Sequence, residues 1–181
     1  MEIKTKTKFF NISSNEGFTL LELMTTLAVL AIIVTMVGPT FSNMKERHKV
    51  RGAAETVVSD LHLARLEAIK ANRDISLSFQ GSGTENWCYG VNDSNGCDCT
   101  IGNNCQVSGS TLRVTNSNEF SNISLATTFT GQNTTFEPNR GTTNSGTTTL
   151  NYNGKSINIT LNAIGRIALC SNDYGFYPNC P

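Results

Sequence analysis

Histidine is almost missing from this sequence: only His48 and His62 occur among 181 residues. Neither falls in a Ser/His/Asp pattern, no paired carboxylates stand in a pocket-like context, and no glycine-rich phosphate loop opens a helix. The chain is therefore expected not to be an enzyme and to use no cofactor. Charge is scarce too. Lys+Arg and Asp+Glu each number 14, for a net charge of +0, so the chain lacks the electrostatic footprint of a dedicated nucleic-acid binder. Cysteine is absent before residue 88, and between Phe18 and Phe41 the only charged residue is Glu22.

That last absence shapes the N-terminal reading. As a helix, the 24 residues 18–41 would extend roughly 36 Å, enough to cross a bilayer. A charge at the centre of such a segment costs about 2.5–3.5 kcal/mol, so Glu22 needs a partner. Lys4, Lys6 and Lys8 precede the run and Gly17 ends the preceding stretch, whereas no A-x-A-like site follows it. Cleavage between Gly17 and Phe18 would place a new amino group one helical turn from the Glu22 carboxylate, where opposite charges meet. Pro39 cannot donate a backbone hydrogen bond, so a kink is expected at Gly38 and Pro39. Lys45, Arg47, Lys49 and Arg51 follow the run closely, so the lysines before it do not fix its orientation.

Beyond the run, Val50, Ala54, Val57, Leu61, Ala64 and Ala68 recur at helical spacing, with Lys49, Glu55, Asp60, Arg65 and Lys70 on the other positions. From residue 74 onward β-branched alternation takes over. The segments "ISLSF", "WCYGV", "TLRVT", "NISLATTFT", "TTTLNYN", "KSINITL" and "GRIALC" read as short strands, and Asn153-Gly154 marks a hairpin. Trp87 and Tyr89 share one strand face and are expected in the core. The result is an α+β domain of seven or eight strands packed on a long helix.

All six cysteines, Cys88, Cys97, Cys99, Cys105, Cys170 and Cys180, lie in the β part. An even number there reads as disulfides. Metal is the competing reading, but C-x₂-C pairs are lacking and neither histidine is near; no metal site is assigned. Fifteen pairings are open in principle. Cys170 with Cys180 is the first pairing expected, clamping "CSNDYGFYPNC" and leaving the other four to staple "NDSNGCDCTIGNNC".

The basic leader, Gly17-Phe18, "GFTLLE", the apolar helix and the proline resemble the type IV prepilin family. The resemblance implies a leader over 1–17, an N-terminal helix over 18–73 with a transmembrane and assembly segment at 18–41, and a globular head over 74–181. It further implies cleavage by a prepilin peptidase, N-methylation of Phe18, and neutralisation by Glu22 of a neighbouring subunit's terminal amine. "TTFEPNRGTT", Gly165-Arg166 and the Ala-Arg-x-Glu-Ala element near Arg65 are similar to the GspH/FimT group of minor pilins and pseudopilins. That group implies a single-pass inner-membrane protein with its head outside the cytoplasm, which then assembles with other major and minor pilins or pseudopilins. The expected role is a FimU-like minor pilin in a type IV pilus tip or priming complex. The alternatives are a type II secretion pseudopilin or a FimT-like DNA-capturing subunit. For DNA, Arg166 is the candidate contact, with Arg140 and Lys155 as expected neighbours. Because Ala168 stands where a Gly-Arg-x-Arg motif has its second arginine, only weak DNA binding is expected.

Overall fold

The computed structural model describes residues 17–93 and 96–181, with side chains throughout except over 36–43. The leader before Gly17 lies outside the described residues; at Gly38 and Pro39, where a kink is expected, the backbone is assigned to the helix and only the side chains lie outside the description. A single helix, α1 (Leu20–Ala71), precedes eight strands. These are β1 (Ile75–Gln80), β2 (Cys88–Asn92), β3 (Val114–Asn116), β4 (Ser124–Thr127), β5 (Asn133–Phe136), β6 (Gly146–Tyr152), β7 (Lys155–Leu161) and β8 (Ile167–Cys170).

Two compact units divide the chain, with Met44–Pro181 forming the second. Among the described residues no helix is long and apolar enough to cross a membrane; the side chains of 36–41, the end of the apolar run 18–41, are not among them.

In the second unit the strands form two four-stranded antiparallel sheets, ordered β3-β2-β1-β5 and β4-β6-β7-β8. The α1 stripe faces them. Val50, Ala54, Val57, Leu61, Ala64 and Ala68 are all fully buried, joined by Ala53. Four alanines in this stripe let the helix backbone approach the sheets closely, while Leu77, Phe79, Leu125, Ile157 and Ile159 supply the bulk from the sheet side. Trp87 and Tyr89 stack with ring centroids 6.0 Å apart, and the Trp87 indole N–H donates to the Ile123 carbonyl at 2.7 Å. The β6–β7 connection is the two-residue turn Asn153-Gly154, both at positive φ (49° and 76°), as a primed hairpin turn demands.

Three features depart from what periodicity suggests. First, β1 does not alternate between core and solvent: Ser76 and Ser78 are as buried as Leu77 and Phe79. The cysteine loop covers their face, with Ser78 Oγ accepting from the Cys97 amide at 3.2 Å and from the Asn92 side chain at 2.9 Å. Second, β5 has only polar residues before Phe136, and alternation assigns it no strand. Its outer edge is closed by the Asn144 side chain, which accepts from the Thr135 amide and donates to the Asn133 carbonyl. Third, Asp60 is not on a solvated helix face; it is 4% exposed.

Candidate assembly segment and head junctions

Thr19 caps α1. Its carbonyl and its hydroxyl oxygen both accept from the Glu22 amide, at 3.1 and 3.2 Å. With threonine at the cap and glutamate three residues on, the sequence carries a capping-box signature, and a carboxylate in the first turn also complements the helix dipole. Downstream the threonine hydroxyls turn back onto their own helix: Thr25 donates to the Glu22 carbonyl, Thr26 to Leu23 and Thr35 to Ile32. Their polarity is thereby hidden within an apolar surface. Phe18 is 79% exposed, and Leu20, Leu21, Met24, Leu27, Leu30 and Ile33 are each more than half exposed. Among the described residues nothing pairs with the Glu22 carboxylate. Over its described residues the segment is thus an apolar helix face with one charged group, Glu22, in its first turn.

The six cysteines form three bonds, Cys88–Cys99, Cys97–Cys105 and Cys170–Cys180. The first two interlock over β2, and they explain Gly90: a Cβ there would meet Cys105 Sγ at 2.5 Å. The third closes a loop anchored to β7. In that loop Ser171 Oγ donates to the Ser156 carbonyl at 2.6 Å, and Asp173 accepts from the Ser156 amide at 2.8 Å.

Arg166 is exposed at the turn into β8, and its amide donates to Asn162 Oδ1 at 2.8 Å. Arg140 belongs to the loop between β5 and β6. These two turns touch: a Cβ on Gly165, at φ +74°, would meet the Gly141 carbonyl oxygen at 2.4 Å. Beneath them lies Arg65 of α1, whose guanidinium donates to the Gly165 carbonyl at 3.2 Å and would sit 3.0 Å from a Cβ on Gly141. The fold therefore brings Arg140 and Arg166 to neighbouring turns and adds Arg65. Lys155 is placed elsewhere. It begins β7, whose far end Leu161 faces Ile167, and it pairs with Glu46 at 3.3 Å. Ala168 is exposed on β8.

Sequence reasoning also missed the cluster around Asp60. One of its carboxylate oxygens accepts from the Tyr89 hydroxyl at 2.9 Å, the Thr115 hydroxyl at 3.1 Å and Arg113 Nε at 3.2 Å. Burial and the adjacent Asp60 charge push the Tyr89 phenol far up. The Asp60 charge pushes the Arg113 guanidinium up as well. The only sequence signal was an acid between two buried positions, Val57 and Leu61.

Comparison with known proteins follows the same outline. The family model described as Type II transport protein GspH matches residues 53–165, and that of the prokaryotic N-terminal methylation motif matches residues 12–38. The chain is similar to the type IV minor pilin FimU of Pseudomonas aeruginosa, with 23% identity, a TM-score of 0.50, and coverage of 70% of this chain and 91% of that one. It is similar also to the minor pseudopilin EpsH from the Type 2 Secretion System of Vibrio cholerae, with 16% identity, a TM-score of 0.50, and coverage of 70% and 99%. At such identities these likenesses speak for the fold. No curated protein matches the sequence significantly.

Proposed function

The chain belongs to the GspH family, and on that premise we propose that it works as a minor pilin, a structural subunit of a type IV pilus tip or priming complex. One observation carries the reading: an exposed apolar helix face, with Thr25, Thr26 and Thr35 bonded to their own helix, bears in its first turn a carboxylate, Glu22, that has no partner among the described residues. Such a surface requires lipid or other helices around it. Cleavage after Gly17 supplies the cation Glu22 lacks, the amine of Phe18, which N-methylation leaves charged. Before assembly the subunit sits in the inner membrane with its head outside the cytoplasm, where the three disulfides are maintained. In the filament its partners are other pilins, and the prepilin peptidase is its processing enzyme.

A second reading, a pseudopilin of a type II secretion system, draws on the same helix and on the family's own description. Gene deletion separates the two: loss of surface pili with secretion intact favours the first, and the reverse outcome the second.

Processing is tested by intact mass. Protein extracted from the envelope should lack residues 1–17 and carry one extra methyl; retention of the leader in cells with a prepilin peptidase would refute the proposal. Glu22→Ala tests assembly. Removing one partner of an ion pair in a low-dielectric setting costs about 3–5 kcal/mol, so incorporation into sheared filaments should fall at least tenfold on immunoblots. The membrane-bound pool should retain a folded head.

A further inference from the structure

Several loops converge on the part of α1 that opens the second unit. The Lys49 ammonium donates to Ser121 Oγ at 2.9 Å and lies 5.8 Å from the Tyr152 ring centroid. Arg51 stands 5.9 Å from the Phe176 ring, and Lys155 5.8 Å from Tyr174. Three cations therefore alternate with three aromatic rings at one end of the head. Two of these cations are ion-paired, Lys155 with Glu46 and Arg51 with Glu55, while Asp173 accepts from the Ser156 amide; among the described residues Lys49 has no acid within ion-pair distance. Arg47 is exposed and has no ion-pair partner among the described residues, and Phe176 at the tip of the Cys170–Cys180 loop is 37% exposed.

We propose that this end of the head is a docking surface for the anionic face of a lipid bilayer. The occupant follows from chain connectivity. Lys45 follows Phe41 by four residues, so it lies within about 14 Å of the end of the apolar run whatever the angle between the units. If that run is the membrane anchor, as the proposed function holds, the surface begins beside the headgroup region, which adds about 5–7 Å on each side of the roughly 30 Å core. Its composition suits that place. Aromatic side chains concentrate at membrane–water interfaces, and basic residues near an anionic surface each gain roughly fivefold in partitioning. The cation–π contacts hold the basic stems against the rings, and Lys49 and Arg47, which have no acid partner among the described residues, carry the net positive charge. The surface would restrain the head before the subunit leaves the bilayer, and release it as the anchor is drawn into a filament.

The test uses residues 44–181, which contain the whole second unit with its core and three disulfides. Oxidised fragment is sedimented with vesicles of phosphatidylcholine alone or of equal parts phosphatidylcholine and phosphatidylglycerol. Binding is expected to the mixed vesicles, falling about fivefold in Arg47→Ala and falling again in Phe176→Ser. Salt should weaken it as the screening length shortens. Equal binding to both vesicles, no binding to either, or no effect of both substitutions would overturn the proposal. Binding to another pilin head without vesicle binding would assign the surface to a subunit contact and overturn it too. Alkaline washing of membranes holding the full chain reports on the anchor separately. A retained full chain whose isolated head ignores vesicles rejects this inference alone; a full chain washed off rejects the anchor.

Discussion

Replacing Asp60 with leucine should be among the most damaging single changes in the head, although it adds apolar surface to an apolar interface. Leucine favours a helix at least as well as aspartate, so the backbone of α1 has no reason to object. The cost falls on the partners. Tyr89 and Thr115 are both 0% exposed, and their hydroxyls point at the Asp60 carboxylate. Each buried hydroxyl left without an acceptor costs about 1–3 kcal/mol, so the two together cost about 2–6 kcal/mol. Arg113 adds little, because its side chain is 41% exposed and can turn to water. Against a typical total stability of about 5–15 kcal/mol, the loss would move the urea midpoint of the 44–181 fragment far down. The decisive comparison is the triple variant Asp60→Leu, Tyr89→Phe, Thr115→Val, which removes donors and acceptor together. It should recover most of the loss, as replacement of a whole buried polar group commonly does. Asp60→Asn keeps one acceptor and should lie between. If the single and triple variants unfold at the same urea concentration with unchanged m, or if Asp60→Leu costs under about 1 kcal/mol, the stranded-hydroxyl reasoning is wrong.

Three further outcomes can be measured on the same fragment. Converting Cys170 and Cys180 together to serine reopens a loop of sequence separation 10 and should lower stability by about 3 kcal/mol in urea melts, against a wild type in which alkylation without reductant labels no cysteine. Burial, and then the nearby Glu46, push the Tyr174 phenol up to about 12, and Tyr89 is raised in the same direction. Folding therefore favours the neutral phenols: this contribution is complete below the free tyrosine value of about 10 and lost as pH rises through about 12. Urea midpoints should hold to about pH 10 and then fall, less steeply in Tyr174→Phe. A fluorescence titration should find DNA binding weak at physiological salt and steeply salt-dependent where measurable, since few phosphates can be neutralised by Arg166, Arg140 and Arg65. Submicromolar affinity at that salt, lost in Arg166→Ala, would make DNA capture the leading function.

What could be read in the sequence was what neighbouring residues decide among themselves. The stripe from Val50 to Ala68 was legible because helical spacing alone puts those side chains on one face. Asn153-Gly154 was legible because few other dipeptides accept two consecutive positive φ angles. The rest was decided at long range. Asp60 looked solvated because its donors arrive from β2, from β3 and from the residue before β3, 29 to 55 residues away. Ser76 and Ser78 looked like the wet face of a strand because nothing local announces that a disulfide-bonded loop will fold over them. β5 left no mark in the alternation because its pairing with β1 and the Asn144 side chain, not its own apolar content, makes it a strand.

The Ala-Arg-x-Glu-Ala element, the loop glycine after Arg140 and the Gly165-Arg166 turn read as three separate marks, spread over about a hundred residues. In the fold they are one junction. Gly165 must lack a side chain because the Gly141 carbonyl occupies the place of its Cβ, and Arg65 reaches from the helix to the Gly165 carbonyl. Packing thus suffices to require all three, with no ligand invoked. The same junction sets where the arginines beside those glycines emerge, which is why Arg140 and Arg166 are neighbours and Lys155, at the other end of β7, is not. A substitution at Arg65 would consequently disturb both turns at once. Effects on DNA binding or assembly traced to Arg140 or Arg166 therefore need Arg65→Lys beside them, to separate loss of a surface charge from loss of the clamp that presents it.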